Sequence, residues 1–289
     1  MSEETCSITG IEFVKISCGS LETGNVCGYY YNKPVYIRTF LMGRCPVTQV
    51  QWESVMGNNP SASIGADRPV ECVTWDYCQE FVQKLNQMSG KSYRLPSEAE
   101  WVFAASCGGT QHIGASAEPA PEDAAGNYSL VMQHFEQALD CYASEGAAHF
   151  ENCPAKPLDD HRTRPVGQKE PNGFGVHDMG SSVWEWCQDM WHDDFDGAPE
   201  DGSAWVDTLC AVFPGWTQIL GGRAKLKSTG PDGAWYEDKR GRRTFHPREK
   251  PMRVVRGGTI EYSGSVCMIP RMANYQDWWS PDTGFRLAM

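Results

Sequence analysis

Twelve cysteines and seven histidines are the side chains with which this chain of 289 residues could hold a soft metal or run thiol chemistry. Their spacing points away from both. No two cysteines form a Cys-x-x-Cys pair, and the two nearest histidines, His149 and His161, are a dozen positions apart. A zinc site draws on closely spaced ligand pairs, and none is present. Cys72, Cys78, Cys107 and Cys187 lie in apolar or helix-like stretches, where a buried thiol is the expected state. Cys6, Cys18, Cys27, Cys141 and Cys153 are the ones open to disulfide pairing.

The richer chemistry is that of contact. The last stretch, Arg253–Met289, opens on the strand-like Val254-Val255 with Gly257-Gly258 and closes on Gly284-Phe285-Arg286-Leu287-Ala288. Between them lie about 25 residues rich in Ser, Tyr, Trp, Pro, Asp and Asn, with no helical or strand period. An irregular segment of that length between two strands is either a disordered insertion or a binding or catalytic surface. Tyr262, Met268, Tyr275, Trp278 and Trp279 make it too apolar for disorder. It reads as a surface built to touch something.

The elements that must position it come earlier. Ile11–Ile16 and Val35–Phe40 have strand composition. Pro46–Gly57 predicts a helix, with Thr48 and Gln51 as a capping box and Gly57 as the stop. Thr74–Ser89 predicts a longer one, with Trp75, Cys78, Phe81, Val82, Leu85 and Met88 on one face and Gly90 at its end. Ser97 and Glu100 form a second capping box opening a helix to about Ser106. From Gly108 to about Arg164 periodicity is weak, Asn172-Gly173 marks a turn, and residues 195–250 read as a second polar insertion. There are no internal repeats and no linker between separate cores, so residues 1–289 count as one domain with residues 253–289 as its binding region.

Composition narrows the partners. Hydrophobic residues make up 40% of the chain, with 11 Trp, 11 Tyr and 11 Phe, which is ample for a core. A net charge of −12 argues against a nucleic-acid surface. No window approaches the 18 apolar residues of a membrane span. The start, MSEETC, lacks the basic and apolar parts of a signal peptide; an export signal lying outside this sequence would leave the same start.

Several stretches together resemble the formylglycine-generating-enzyme, or sulfatase-modifying-factor, family. They are Pro46-Val47-Thr48 through Gly57, Arg68–Trp75, Tyr93–Trp101, Asn172–Gly175, Val183–Trp186, Arg256–Gly258 and Gly284–Arg286, in family order over nearly the whole chain. The resemblance implies an α+β, C-type-lectin-like fold: little regular structure, long loops, two packed helices and a small antiparallel sheet. The family holds oxidases, ergothioneine-pathway enzymes and non-catalytic binding proteins, so the site has to decide. The oxidases carry two cysteines after the Arg-Gly-Gly strand, which hold Cu(I) and engage a substrate cysteine. Here Cys267 matches the second, and Tyr262 stands at the first. A phenol cannot supply soft thiolate ligation, so no copper is expected. The ergothioneine-type enzymes need histidine-bound iron, for which these histidines are not spaced.

The remaining branch comprises binding proteins diversified by retroelements, including variable proteins of treponemes. In it the interval between Arg-Gly-Gly and Gly-Phe-Arg accepts massive variation at template adenines. The aromatic and Ser-rich interval here resembles a paratope, with Tyr and Trp for contact area and Ser and Asn for adaptable hydrogen bonds. Adenine substitution in an Asn codon reaches Tyr, Ser, Asp, Thr, Ile and Pro but not Trp or Met. Ile260, Tyr262, Ser263, Ser265, Ile269, Pro270, Tyr275, Asp277, Asp282 and Thr283 are therefore the candidate variable positions. Trp278 and Trp279 complete the expected contact surface, either as fixed residues, like Met268, or as products of another template codon. The resemblance also implies a structural Ca²⁺ on Asp178, Glu185 and the carbonyls of Ser181 and Val183, hard oxygens that suit this ion. The expected partner is a protein or glycan on another cell or a phage. If the chain is exported, a cell-surface or outer-membrane position is expected, and a lipid anchor is compatible with it.

Overall fold

The computed structural model describes residues 4–22, 24–26, 29–31, 33–108, 163–179, 183–192, 195–206, 224–230, 233–238, 243–247, 251–258 and 271–289. The first strands are β1 (Glu4–Thr5), β2 (Glu12–Ile16), β3 (Gly19–Leu21), β4 (Gly24–Val26), β5 (Tyr29–Tyr31), β6 (Val35–Ile37) and β7 (Phe40–Gly43). Three helices follow, α1 (Gln49–Met56), α2 (Trp75–Ser89) and α3 (Glu98–Ala105). The remaining strands are β8 (Trp184–Met190), β9 (Ala224–Gly230), β10 (Gly233–Asp238), β11 (Arg243–Pro247), β12 (Met252–Gly257), β13 (Arg271–Tyr275) and β14 (Thr283–Gly284).

The helices begin and end where their capping chemistry places them. The Thr48 side chain accepts from Gln51 N while the Gln51 side chain accepts from Thr48 N, and Gly57 closes α1 with φ of 76°. Ser97 and Glu100 make the same reciprocal pair at α3. Thr74 caps α2 and Gly90 ends it at φ 67°. Such side-chain caps satisfy amides that the helix leaves open, and glycine adopts the left-handed stop without a Cβ penalty. Trp75, Cys78, Phe81, Val82 and Leu85 face inward from α2 as the spacing predicts. Met88 is the exception, half exposed at 51%.

The core forms where α1 and α2 meet the chain's end. Trp52 stacks on Phe81 at 5.3 Å between ring centres, and Phe285 packs edge-on against both. The sheet that carries the terminal stretch runs β13-β12-β8-β14, antiparallel except for the β8–β14 pair. Its inner face meets α3.

Three expectations need correction. The run Val35–Phe40 is not one strand: β6 ends at Ile37 and β7 begins at Phe40. Phe285–Ala288 does not form a strand; β14 is limited to Thr283–Gly284, and Ala288 makes single bridges to Met42 and Arg94. Residues 195–250 are more than a polar insertion, since they hold the antiparallel sheet β11-β10-β9. Its signal was the Gly230-Pro231-Asp232-Gly233 turn sequence between β9 and β10. Of the cysteines open to pairing, Cys6 and Cys18 hold no disulfide, and Cys27, Cys141 and Cys153 lie outside the described residues.

Candidate functional site

The terminal loop leaves the sheet at the end of β12 and returns at the start of β13, and the last register pair at this neck is Arg256 opposite Arg271. Directly opposed residues share one face of an antiparallel ladder, and like charges there repel. Both guanidinium groups are nevertheless buried, Arg256 at 0% and Arg271 at 5% exposure. Glu98, the first residue of α3, resolves the conflict. Its Oε1 accepts from Arg271 Nε at 2.6 Å and its Oε2 from Arg271 Nη2 at 3.0 Å, while Arg256 Nε lies 3.6 Å from Oε1. One carboxylate thus holds both sides of the neck.

Aromatic rings and backbone oxygens complete the clamp. The Arg271 guanidinium sits 4.0 Å above the Trp191 ring and 4.7 Å from that of Phe195, and Nη1 donates to the His192 carbonyl. Cation–π contact of this kind strengthens when desolvated. Asp189 lies behind Glu98, its Oδ2 accepting from Glu98 N at 2.7 Å and its Oδ1 from Trp205 N at 2.9 Å. Burial, with the Glu98 charge added, pushes the Asp189 carboxyl up to about 7.

A second buried ion pair fixes the far end of the stretch. Arg286 donates through Nε to Glu185 Oε2 at 2.6 Å and through Nη2 to Oε1 at 2.7 Å. Trp101 Nε1 adds a bond to Oε2 at 2.8 Å, and Arg286 also reaches the carbonyls of Gly43 and His177. This bears on the expected calcium site. Both Glu185 oxygens already take N–H donors, and a cation there would face the Arg286 guanidinium. Asp178, at φ 61°, spends Oδ2 on the Gly167 amide at 2.6 Å. Val183 is buried, and Ser181 lies outside the described residues. The Glu185 side chain therefore does not fit a calcium ligand; it is the carboxylate of an ion pair.

The expected contact residues divide. Ile260, Tyr262, Ser263, Ser265, Ile269 and Pro270 lie outside the described residues. Asp277, Trp279 and Asp282 are half-buried at the surface, together on the turn after β13 and the segment leading into β14. Tyr275, Trp278 and Thr283 are a correction: at 8%, 4% and 1% exposure they belong to the core and offer no contact surface. The period of β13 explains Tyr275, since it shares the inward face of Arg271 and Ala273. Trp278 N closes a turn onto the Tyr275 carbonyl at 2.8 Å, which brings its side chain under that turn. The residues that sequence reasoning missed are Glu98, Asp189, Arg256 and Arg271. A Glu at the first helical position looks like dipole compensation, and only the fold shows that two distant arginines meet it.

The whole chain, residues 2–289, matches the model of the sulfatase-modifying factor enzyme 1-like domain, and the protein belongs to that family. Among individual relatives it is similar to the chaperone protein LppX of Paenibacillus barcinonensis, 30% identical over 238 residues, 68% of this chain and 80% of that protein. It is 26% identical over 147 residues to the formylglycine-generating enzyme of Thermomonospora curvata, a match spanning 50% of this chain and 41% of that enzyme. Two solved structures share the fold. PvdO from Pseudomonas aeruginosa superimposes with a TM-score of 0.60 at 21% identity, covering 99% of this chain and 97% of that one. Treponema denticola variable protein 1 does so at 0.57 and 23% identity, covering 99% and 98%. No helix among the described residues is long and apolar enough to cross a membrane.

Proposed function

We propose that the protein is a non-catalytic ligand-binding display protein, whose terminal loop is diversified by a retroelement on a fixed scaffold. The observation that carries the reading is the neck. The loop departs and returns through Arg256 and Arg271, both held on Glu98 from α3. A loop tied off by residues outside it can change sequence at little cost to the core, the arrangement that binding loops on rigid sandwiches use. The family contains enzymes as well, and Tyr262, where the oxidases carry their first thiol, favours binding over copper chemistry. The partner is a protein or glycan on another cell or a phage, met at the cell surface or outer membrane.

Deep sequencing of the DNA coding for residues 250–289 across a cultured population, with its downstream flank, tests this directly. A near-copy differing from the gene only where the copy has adenine is the expected result. Its absence, with an invariant gene, removes the diversified reading. The similarity to LppX, called a chaperone protein, supports the second reading: a fixed-sequence module of the same family that grips one protein partner.

A further inference from the structure

The segment Pro69–Val73 is the shelf on which the end of the chain rests. Val70 N donates to the Val47 carbonyl at 2.8 Å, Cys72 N donates to the Ser280 carbonyl at 3.0 Å, and Pro69 bridges to Thr48. A Cβ added at Gly284 would sit 2.3 Å from the Val70 carbonyl oxygen, so shelf and terminal segment are in direct backbone contact. In the middle of this shelf, at 0% exposure, is Glu71.

Its surroundings do not offset the full burial of an ionised carboxylate. Oε1 accepts from Ser63 N at 2.7 Å, and the nearby Ala62 amide and Cys72 thiol favour the ionised form by less than burial opposes it. Oε2 has no hydrogen-bond partner among the described residues. The loop over it presents backbone amides and Ser61 Oγ, which accepts from Glu71 N at 3.2 Å. The terminal segment held here through the Ser280 carbonyl carries another acid, Asp282, two residues further on. A fully buried carboxylate with one oxygen unpaired is stabilised by taking up a proton, and a like charge nearby adds to this.

We propose that Glu71 is a proton-operated latch beneath the terminal segment. Protonated, it lets Ser280–Gly284 lie on Pro69–Val73. Ionised, it opposes Asp282 and loosens that segment, and with it the surface formed by Asp277, Trp279 and Asp282. The consequence for ligand binding rests on the display reading; the latch itself does not.

Burial, with the Asp282 charge adding to it, pushes the Glu71 carboxyl up to about 7 from 4.5. A raised acid stabilises the closed form fully below its unfolded value, and that stabilisation is lost as pH rises towards the folded one. If opening exposes Glu71 to water, the opening constant grows roughly tenfold between pH 6 and pH 8.

Hydrogen–deuterium exchange of the full chain at those two pH values, corrected for the intrinsic rate, reads this out. Protection of peptides covering residues 276–284 should drop roughly tenfold from pH 6 to pH 8. Glu71→Gln should abolish the drop. A flat wild-type profile, or the same drop in the Gln variant, overturns the latch and leaves the display reading standing. Should Glu71→Gln not fold, Asp282→Asn serves: removing that charge must move the midpoint to lower pH, and an unmoved midpoint overturns the proposal.

Discussion

Replacing Glu98 by Ala tests the neck most directly. In the native protein this one carboxylate makes two charge-assisted hydrogen bonds to Arg271 and lies 3.6 Å from Arg256 Nε, all at exposures of 5% or less. Its removal leaves two guanidinium groups buried without it, and breaking one side of a buried ion pair costs about 3–5 kcal/mol. Loss of a negative charge from the first turn of α3 adds about 0.3–1 kcal/mol. The internal control is Glu80→Ala. Glu80 pairs with Lys84 at 2.9 Å, a distance like those at the neck, with side chains 45% and 43% exposed. Water and salt screen that pair, so its loss should cost no more than about 0.5 kcal/mol. Urea unfolding followed by tryptophan fluorescence measures both variants, and a double-mutant cycle with Arg271→Met isolates the coupling, expected above about 2 kcal/mol. A Glu98→Ala cost below about 1 kcal/mol, close to that of Glu80→Ala, would refute the clamp.

Three further outcomes follow from the same packing. Gly284→Ala drives a methyl group against the Val70 carbonyl at 2.3 Å and should cost more than about 2 kcal/mol in urea unfolding; Gly57→Ala, with φ 76° and nothing within 4 Å, should cost only about 1 kcal/mol. Within the terminal stretch, Ala at Tyr262, Ser263 or Ser265 should move stability by less than about 0.5 kcal/mol, whereas Trp278→Ala, at a residue 4% exposed, should cost about 3–5 kcal/mol. Comparable losses at all four positions would count against a loop separable from its scaffold. Asp189, pushed up to about 7 by burial and by Glu98, stabilises the fold below its ordinary range and loses that contribution as pH rises towards 7. In a Glu71→Gln background, which removes the other raised carboxyl, Asp189→Asn should flatten the stability profile between about pH 4 and 7. A profile unchanged by the second substitution would show that Asp189 does not titrate there.

The local signals were legible and the long-range ones were not. Both capping boxes, the glycine stops at Gly57 and Gly90 and the inward face of α2 follow from chemistry within a few residues, and they stand where the sequence puts them. The polar segment 195–250 hid a sheet because its strands give only short apolar signals: β9 alternates only over Ala224-Lys225-Leu226-Lys227, and β11 has Phe245 as its one large apolar residue, leaving the Pro-Asp turn as the signal. At the site, an irregular aromatic stretch identified a contact surface but not which rings face outward. Trp278 and Trp279 are neighbours of the same type; one is buried and the other half-buried, a division set by the turn after β13. Glu185 was legible as a hard-oxygen ligand because its partner, Arg286, is 101 positions away and no local pattern announces the pair.

The choice of charges at the neck, where an apolar pair would pack more cheaply, has a physical consequence. Apolar residues at the Arg256–Arg271 position would accept several strand registers, since one buried aliphatic side chain resembles another. The two arginines do not. A slip of one residue in β13 turns Arg271 to the opposite face of the sheet, away from Glu98, Trp191 and Phe195. It also leaves Glu98 buried without its bidentate partner, at about 3–5 kcal/mol. The neck therefore fixes register by a penalty on the wrong pairing rather than by affinity for the right one. On the proposed display reading the loop's own sequence varies and cannot set the register of the strands that flank it. The task then falls to Glu98, outside the terminal stretch altogether.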